Sequence, residues 1–460
     1  MRLVPYVDAE RDRIVETLFE WLRIPSISAH AERATDVRTS AELCARLLRD
    51  AGLEHVALLE TPGAPAVYGD WRPGRLEEGD DAPTVLVYGH HDVQPADPLD
   101  RWHHPPFEPV IVAGECRARG AIDDKGQVLY EIEAARGLLR TEGRLPVNLR
   151  FLVEGEEEVG SPHFEALLVE HAERLRTDVV VVSDTGMWAP DVPSTCVGMR
   201  GLVGFDVRLR TASGDLHSGL FGGAVPNPIH LLAGIVAGLH DDAGRVTIPG
   251  FYDRVRPLGS AESASLEALP FDEQAWMANA GVRRTDGKDG WSTLARIGYR
   301  PTAEVVGFGG GYTGDGMKTI VPAEAGAKVT FRLVADQDPG EVTDAFERWL
   351  RAQVPDGVEL ALTPEGAVAP ALTPVDHPAV AALCRAIETV WGAPPRFTRE
   401  GGSGPEEALG RVLDAPVLFL GVGLPGDRLH APNERMVMDQ FWKGLLAAGE
   451  LWHELARALP

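Results

Sequence analysis

The chain has 460 residues, of which 44% are hydrophobic and 25% are charged, so a folded protein of more than one domain is expected. Its 69 acidic residues outnumber the 44 Lys and Arg residues, which gives a formal net charge of −25. A surface this acidic argues against nucleic acid and anionic membranes as partners.

The cysteines indicate the compartment. Four of them are scattered along the chain without a CxxC pair, which argues against a zinc ribbon and a disulfide framework: Cys44, Cys116, Cys196 and Cys384. The first 28 residues carry charges throughout, and no run of 18 apolar residues occurs anywhere. We therefore expect a cytoplasmic protein with reduced thiols.

Helical periodicity opens the chain and a buried strand follows. Apolar residues recur at helical spacing over residues 8–22, and this helix should end before Pro25. A second helix is predicted over 39–51, with Gly52 as its stop. Residues 84–88 of TVLVYGHHDVQP form a short apolar run that is typical of a strand in a parallel sheet.

The same arrangement recurs in VNLRFLVEGEEEVGS, DVVVVSDTG and APVLFLGVG, where a buried strand leads directly into polar residues. This pattern predicts an α/β sheet. Because ligands bind at the carboxyl ends of strands in open α/β sheets, the acidic residues that follow several strands should share one site.

Between about Cys196 and Thr373 the pattern changes to alternating segments such as GLVGFDVRLRT and AGAKVTFRLVAD, which favour half-exposed antiparallel strands. We expect a discontinuous catalytic domain of residues 1–196 and 374–460, interrupted by an α+β domain of residues 197–373. Final helices should resume near Pro378.

His90 and Asp92 are two residues apart in GHHDVQ. In an extended chain their side chains point to the same side, whereas the side chain of His91 points to the other. An imidazole beside a carboxylate suits a metal ligand and the group that orients it. The adjacent acids Asp123 and Asp124 in RGAIDDKGQ would need a cation if buried, although an Asp N-cap of the predicted helix 128–140 is the simpler alternative.

Other polar residues also follow strands. EGEEEVGS carries four glutamates, which are either a solvated loop or a metal ligand beside a base. Asp184 follows DVVVVS, and His430 lies in GDRLHAPNE after VLFL. Each is weak evidence alone, but together the strand-end clusters supply the nitrogen and oxygen ligands that a pair of divalent metal ions requires.

Seven motifs occur in an order and approximate spacing that resemble the M20 metallopeptidases, and most closely their carnosinase and dipeptidase branch: GHHDVQP, RGAIDDKGQ, EGEEEVGS, VVVSDTG, DLHSGLFGG, REGGSGPEE and LHAPNE. They span nearly the whole chain. The resemblance implies a zinc-peptidase-like catalytic domain with a mixed central sheet flanked by helices, an inserted lid and dimerisation domain, and a homodimer.

The resemblance also implies two divalent metal ions per subunit. Zinc is the expected metal, and Mn and Co are alternatives. His90 and Asp184 would hold one ion and Glu158 and His430 the other, with Asp123 bridging them through a loop whose peptide bond to Asp124 is cis.

By the same resemblance Asp92 would orient His90, and Glu157 would be the general base that acts on a metal-activated water. The run of three glutamates leaves the register open by one residue. The VGS that follows it favours Glu157 as the base and Glu158 as the ligand.

The remaining implied roles concern substrate. His217 in DLHSG would reach the active site of the partner subunit and stabilise the oxyanion. Arg332 in FRLV, with Arg399 and Ser403 in REGGS, would bind the substrate carboxylate or nearby backbone.

The resulting hypothesis is a di-metal hydrolase that cleaves the amide bond of a dipeptide or dipeptide-like substrate with a free C-terminal carboxylate. An N-acyl amino acid deacylase or a succinyl-diaminopimelate desuccinylase would need the same metal centre and base. An inactive metal-dependent binding protein is the alternative of a different class, which loss of a ligand or of the base would support. No such loss is visible in the motifs.

Overall fold

The computed structural model describes residues 1–71 and 82–459. Two compact units are present. The first consists of residues 1–197, 373–398 and 405–460, and the second of residues 198–372 and 399–404. The short segment 399–404 therefore belongs to the second unit, although the chain on both sides of it belongs to the first.

The strands in chain order are β1 (Glu54–Leu59), β2 (Ala66–Trp71), β3 (Thr84–His90), β4 (Val110–Val112), β5 (Glu115–Arg117), β6 (Asn148–Glu154), β7 (Val179–Val182), β8 (Ser194–Met199), β9 (Gly201–Arg210), β10 (Leu216–His217), β11 (Thr302–Gly310), β12 (Ile320–Val321), β13 (Glu324–Leu333), β14 (Glu359–Val368), β15 (Ala371–Leu372), β16 (Arg396–Glu400), β17 (Val417–Phe419) and β18 (Arg435–Val437). The helices are α1 (Val4–Leu22), α2 (Ala34–Ala51), α3 (Lys125–Glu142), α4 (Phe164–Glu170), α5 (Ala172–Leu175), α6 (Ser218–Phe221), α7 (Pro228–Ala237), α8 (Ser260–Glu267), α9 (Glu273–Ala280), α10 (Thr293–Gly298), α11 (Pro339–Gln353), α12 (Pro378–Trp391), α13 (Glu406–Leu413) and α14 (Met438–Ala458).

A six-stranded mixed sheet forms the centre of the first unit, with strand order β1-β2-β6-β3-β7-β17. The four strands β6, β3, β7 and β17 run parallel, whereas β1 and β2 pair antiparallel at one edge. The apolar runs that were predicted to form buried strands form these parallel strands. Strand β7 is buried along its whole length.

The helices of the first unit begin and end where the sequence changes. Helix α1 ends at Leu22, shortly before Pro25, although it begins at Val4 rather than at residue 8 because Pro5 is tolerated in a first helical turn. Gly52 ends α2 with a left-handed φ of 102°. Trp21 of α1 and Trp452 of α14 are fully buried in the hydrophobic core of this unit. The predicted α/β fold with a mixed sheet is confirmed.

The second unit has an α+β composition, as predicted. Its antiparallel sheet has the order β11-β13-β9-β14, and β10 pairs with β12 in a short ribbon. The buried rings of Phe205, Phe331 and Phe346 pack beneath the sheet with centroid distances of 4.8 to 6.0 Å.

All four cysteines are free thiols. In the part of the chain that the structure describes, every helix is too short or too polar to cross a membrane.

Candidate metal centre

The candidate site lies at the carboxyl ends of the parallel strands of the first unit. Strand β3 ends at His90, β6 ends just before the glutamate run, and Asp184 follows β7 by two residues. The loop before α3 brings Asp123, and the loop after β17 brings His430. The strand-end residues therefore meet at one edge of the sheet.

The carboxylate of Asp123 lies between two histidines. Its Oδ1 is 3.0 Å from His90 Nε2, and its Oδ2 is 3.0 Å from His430 Nε2. His90 Nε2 is also 3.5 Å from Asp184 Oδ2, while His430 Nε2 is 3.3 Å from Glu158 Oε2. The five residues that the sequence predicted as metal ligands are thus brought together, with Asp123 in the middle.

Two sets of ligand atoms are close enough to hold an ion. One set comprises His90, Asp123 and Glu158, the other His90, Glu157 and Asp184, and the atoms of each set lie within 4.8 Å of one another. Imidazole nitrogens and carboxylate oxygens form the donor set that Zn²⁺ and similar divalent cations accept. The residues present therefore fit a divalent metal centre.

Electrostatics at the site reflect this gathering of acids around two imidazoles. Burial alone would lower the pKa of His90, but its hydrogen bonds with Asp123, Asp184 and Asp92 raise that pKa well above the usual value. Burial would likewise raise the pKa of Asp123, yet His430 and His90 hold it well below its usual range. Asp123 is therefore a carboxylate that is stabilised by positive charge on both sides.

The two neighbouring glutamates behave in the opposite way. Burial, together with the charges of Asp184 and Asp123, raises the pKa of Glu157 to about 8. Burial and Asp123 raise the pKa of Glu158 to about 9. Burial and the neighbouring carboxylates thus favour the protonated forms of both side chains, and binding of a divalent cation would displace protons from this cluster.

The side-chain directions distinguish the three glutamates. The carboxylate of Glu156 is turned away from His90 and His430. It lies 2.9 Å from His163 Nδ1 and accepts a hydrogen bond from Thr61 at 3.2 Å. Gly63 leaves room for this carboxylate, since a Cβ there would lie 1.8 Å from Glu156 Oε1. Only Glu157 and Glu158 of the three belong to the candidate ligand sets.

Asp92 contacts the opposite side of the His90 ring. Its Oδ1 is 3.3 Å from His90 Nδ1, and its backbone carbonyl is 3.1 Å from the same atom. Asp92 Oδ2 also accepts a hydrogen bond from the backbone N–H of Glu158 at 3.1 Å. This arrangement leaves His90 Nε2 directed toward Asp123, as an orienting role requires.

Asp124 does not cap helix α3, although it occupies the N-cap position. The peptide bond that joins it to Asp123 is cis. Its Oδ2 accepts a hydrogen bond from the backbone N–H of His90 at 3.2 Å. A Cβ on Gly89 would lie 2.4 Å from this oxygen, so a glycine is required there.

Two supporting residues were not found from the sequence, although both lie inside the quoted motifs. Gln94 holds the Glu158 carboxylate with its backbone N–H at 3.0 Å and its side-chain amide at 2.8 Å. Glu434 accepts hydrogen bonds from Arg119 at 2.7 Å and from the backbone N–H of Asp123 at 3.2 Å. The feature of the sequence that could have identified Gln94 and Glu434 is that each is a polar residue close to a predicted ligand in the same motif.

Three of the predicted substrate residues lie in the second unit and interact there. Arg332 Nη1 donates to Ser403 Oγ at 2.9 Å. Arg399 instead forms a bidentate pair with Glu262 at 2.7 and 2.9 Å, and both side chains are less than 10% exposed. The guanidinium of Arg399 is therefore already neutralised within its own unit.

His217 is exposed, and the backbone N–H of Gly219 donates to its Nδ1 at 3.0 Å. An N–H can only donate, so Nδ1 is the acceptor and the ring hydrogen lies on Nε2. His217 can therefore donate a hydrogen bond outward.

The model of peptidase family M20/M25/M40 matches residues 86–454, which include the five candidate ligands. The chain belongs to this peptidase family. The enzymes of this family act on peptide bonds. The matched residues cover most of the first unit and all of the second.

Individual M20 relatives match the chain from end to end. The Cys-Gly metallodipeptidase dug1 of Schizosaccharomyces pombe is 31% identical over 100% of this chain and 99% of its own length. The human Beta-Ala-His dipeptidase is 28% identical, with 99% and 92% covered. Among solved structures, the M20 family metallo-carboxypeptidase Sso-CP2 from Sulfolobus solfataricus aligns with a TM-score of 0.81 and 32% identity, covering 97% of this chain and 99% of that one.

Proposed function

We propose that this protein is a metal-dependent dipeptidase that hydrolyses the amide bond of dipeptides with a free C-terminal carboxylate. The observation that carries the proposal is the position of Asp123, whose two oxygens each lie 3.0 Å from a different histidine. The end-to-end similarity to two dipeptidases supports this substrate class.

His90 and Asp184 would hold one ion and Glu158 and His430 the other, with Asp123 shared. Zinc is the first candidate, because mixed nitrogen and oxygen sites bind it more tightly than manganese, and cobalt is a further alternative. When bound, the metal ions polarise the scissile carbonyl and make a water molecule nucleophilic near neutral pH.

The protein side chains supply the proton transfers and the orientation. Glu157, which lies close to His90 and Asp184, would accept a proton from the attacking water and return it to the leaving amine. Asp92 holds His90 in the orientation that directs Nε2 into the site. His217, with its hydrogen on Nε2, would donate to the oxyanion.

Arg332 would bind the substrate carboxylate, since a guanidinium matches a carboxylate in shape and charge. Ser403, also predicted for this role, accepts a hydrogen bond from Arg332 at 2.9 Å and would position its guanidinium. Arg399, the third residue predicted for this role, is bound by Glu262, so we leave it out of the proposed carboxylate site.

The test compares three adjacent glutamate variants after metal reconstitution, with a panel of dipeptides as substrates. Glu157→Ala should keep its metal and lose at least about 100-fold in rate, as expected for loss of a general base. Glu158→Ala should bind metal more weakly. Glu156→Gln is the matched control and should keep both metal and activity, because Glu156 faces His163.

The panel also includes N-acetyl amino acids, N-succinyl-diaminopimelate and longer peptides. Turnover of acylated substrates alone would assign the protein to the deacylases. Removal of single residues from longer peptides would instead indicate a carboxypeptidase, the activity in the name of the Sulfolobus relative. Stoichiometric metal binding without any turnover would support the binding-protein alternative.

We also propose a homodimer formed through the second unit. Among the described residues, strand β11 is an edge strand of the four-stranded sheet, and its side chains Val306 and Phe308 are 63% and 49% exposed. Leu220 and Met317 of the same unit are 77% and 96% exposed. Exposed apolar side chains on an edge strand favour pairing with another chain. Light scattering of the wild type and of Phe308→Glu would test this, with loss of the dimer expected for the variant.

A further inference from the structure

A cavity of about 850 Å³ lies within the second unit, and Arg200 and Arg332 both line it. Arg332 was predicted from the sequence to bind substrate, but Arg200 was not. In the described part of the chain neither arginine forms an ion pair, although the protein carries a net charge of −25. The acidic residues that line the same cavity pair with neither arginine among the described residues: Asp241, Asp242, Asp286, Asp289 and Glu304.

The contacts of Arg200 fix its guanidinium without neutralising it. Its Nε donates to the carbonyl of Gly401 at 3.3 Å, and its Nη1 lies 3.5 Å from the carbonyl of Arg300. Residue 401 has to be small, because a Cβ there would lie 2.9 Å from Arg200 Nη2. Backbone carbonyls thus orient the side chain without forming an ion pair with it.

Ser403 connects the two arginines. Its hydroxyl donates to the backbone carbonyl of Arg200 at 2.5 Å and accepts a hydrogen bond from Arg332 Nη1 at 2.9 Å. Because the single hydroxyl hydrogen is already used, Ser403 has no hydrogen left to donate to a ligand. Donors to an anion in this cavity would therefore be guanidinium groups such as those of Arg332 and Arg200, which both line it.

The two positive charges also repel each other. Burial, and next the charge of Arg332, lower the pKa of Arg200 to about 10. Glu304 acts in the opposite direction, but it forms no ion pair with either arginine among the described residues. A bound anion would remove this repulsion, and a carboxylate offers two oxygens to two guanidinium groups.

We propose that Arg200 is a second carboxylate-binding residue, which together with Arg332 binds the C-terminal carboxylate of the substrate, while Ser403 acts as a positioning residue between them. This inference rests on the proposed dipeptidase function and adds Arg200 to its substrate site. It assigns the requirement for a free carboxylate to two arginines instead of one.

The test compares a dipeptide with its C-terminal amide, which lacks the negative charge. Arg200→Met should lower kcat/KM for the dipeptide about 10- to 100-fold, mainly through KM, because a charge-assisted hydrogen bond of about 1.5–3 kcal/mol is lost. Turnover of the amide should change little. Arg200→Lys should restore part of the loss, since it returns the charge without the planar fork.

Arg296→Met is the matched control, because Arg296 lines the same cavity but donates to the carbonyls of Lys288 and Asp286 at 3.1 and 2.8 Å. It should leave the preference for the dipeptide over the amide unchanged. Equal losses for dipeptide and amide in Arg200→Met would overturn the proposal and indicate a structural role for Arg200.

A binding measurement separates this inference from the proposed function. The Glu157→Ala enzyme is titrated with the dipeptide and with its amide by calorimetry, with and without Arg200→Met. If the wild type hydrolyses no dipeptide, the proposed function fails, yet a loss of dipeptide binding in the double variant would still establish the carboxylate site. Unchanged dipeptide binding in the double variant would refute the role of Arg200, whatever the activity.

Discussion

Glu434 and Arg119 form an ion pair at 2.7 Å in which neither side chain is more than 1% exposed. The same carboxylate accepts backbone N–H groups from Gly120, Ile122 and Asp123. Glu434 therefore connects the loop that follows His430 with the loop that presents Asp123, and these are the loops of two predicted metal ligands.

Glu434→Gln should weaken metal binding about 10- to 100-fold, the usual effect of losing a group that orients a ligand. An amide would face the backbone N–H groups with its own N–H donors. Competition with a chelator measures the affinity. Glu60→Gln is the control, because it removes an exposed pair with Arg38 and should change metal affinity less than about fivefold. Equal affinities for Glu434→Gln and the wild type would contradict this role.

Gly89→Ala should disturb both stability and metal binding, because the added Cβ would lie 2.4 Å from Asp124 Oδ2 and 2.5 Å from Val128 Cγ2. Overpacking of this kind costs about 1–3 kcal/mol of unfolding free energy. Gly234→Ala in α7 is the control: its Cβ would meet nothing within 4 Å, and stability should stay unchanged or rise by about 0.5–1 kcal/mol. Denaturant unfolding measures both variants, and an unaltered midpoint for Gly89→Ala would refute the prediction.

Glu131 is fully buried in α3, and neither carboxylate oxygen has a hydrogen-bond partner among the described residues. Burial raises its pKa well above the usual value. The unfolded chain releases this proton near pH 4.5, whereas the folded protein retains it, so the contribution of Glu131 to stability falls as pH rises above that value.

Glu131→Met should therefore raise the unfolding free energy by about 1–3 kcal/mol, and more at pH 8 than at pH 5. Thermal or denaturant unfolding at both pH values measures the effect. Glu133→Met on the same helix should lower the unfolding free energy, because Glu133 accepts hydrogen bonds from Tyr6 and Arg13 at 2.6 and 3.0 Å. A loss of stability in Glu131→Met would show that the carboxyl group has a stabilising partner.

Arg399→Met should lower the unfolding free energy by about 3–5 kcal/mol, because Glu262 would remain as a buried, unpaired charge. The double variant Arg399→Met with Glu262→Met should recover most of that stability. If Arg399 contacted the substrate carboxylate directly, the double variant would regain stability without regaining its KM for a dipeptide. Unfolding and kinetics of the same preparations separate the two roles.

The sequence predicted that the candidate metal ligands would gather at one edge of the sheet, because strand ends have a local signal. His90, Asp184 and His430 each follow an apolar strand, and strand ends in a parallel sheet converge whatever the detailed packing. The α/β and α+β character of the two units and the C-terminal ends of α1 and α2 followed from periodicity, glycine and proline for the same reason. The family resemblance added the bridging position of Asp123 and the roles of the glutamates.

Only the tertiary structure decided where long side chains point and which charges they meet. Glu434 contacts Asp123 across 311 positions of the chain, and Arg399 meets Glu262 across 137. No local pattern encodes such pairs, because a carboxylate or guanidinium has the same sequence signature whether its partner is a ligand, a backbone amide or an opposite charge. The turn of Glu156 toward His163 and the position of Arg200 in the same cavity as Arg332 were therefore visible only once the chain was folded.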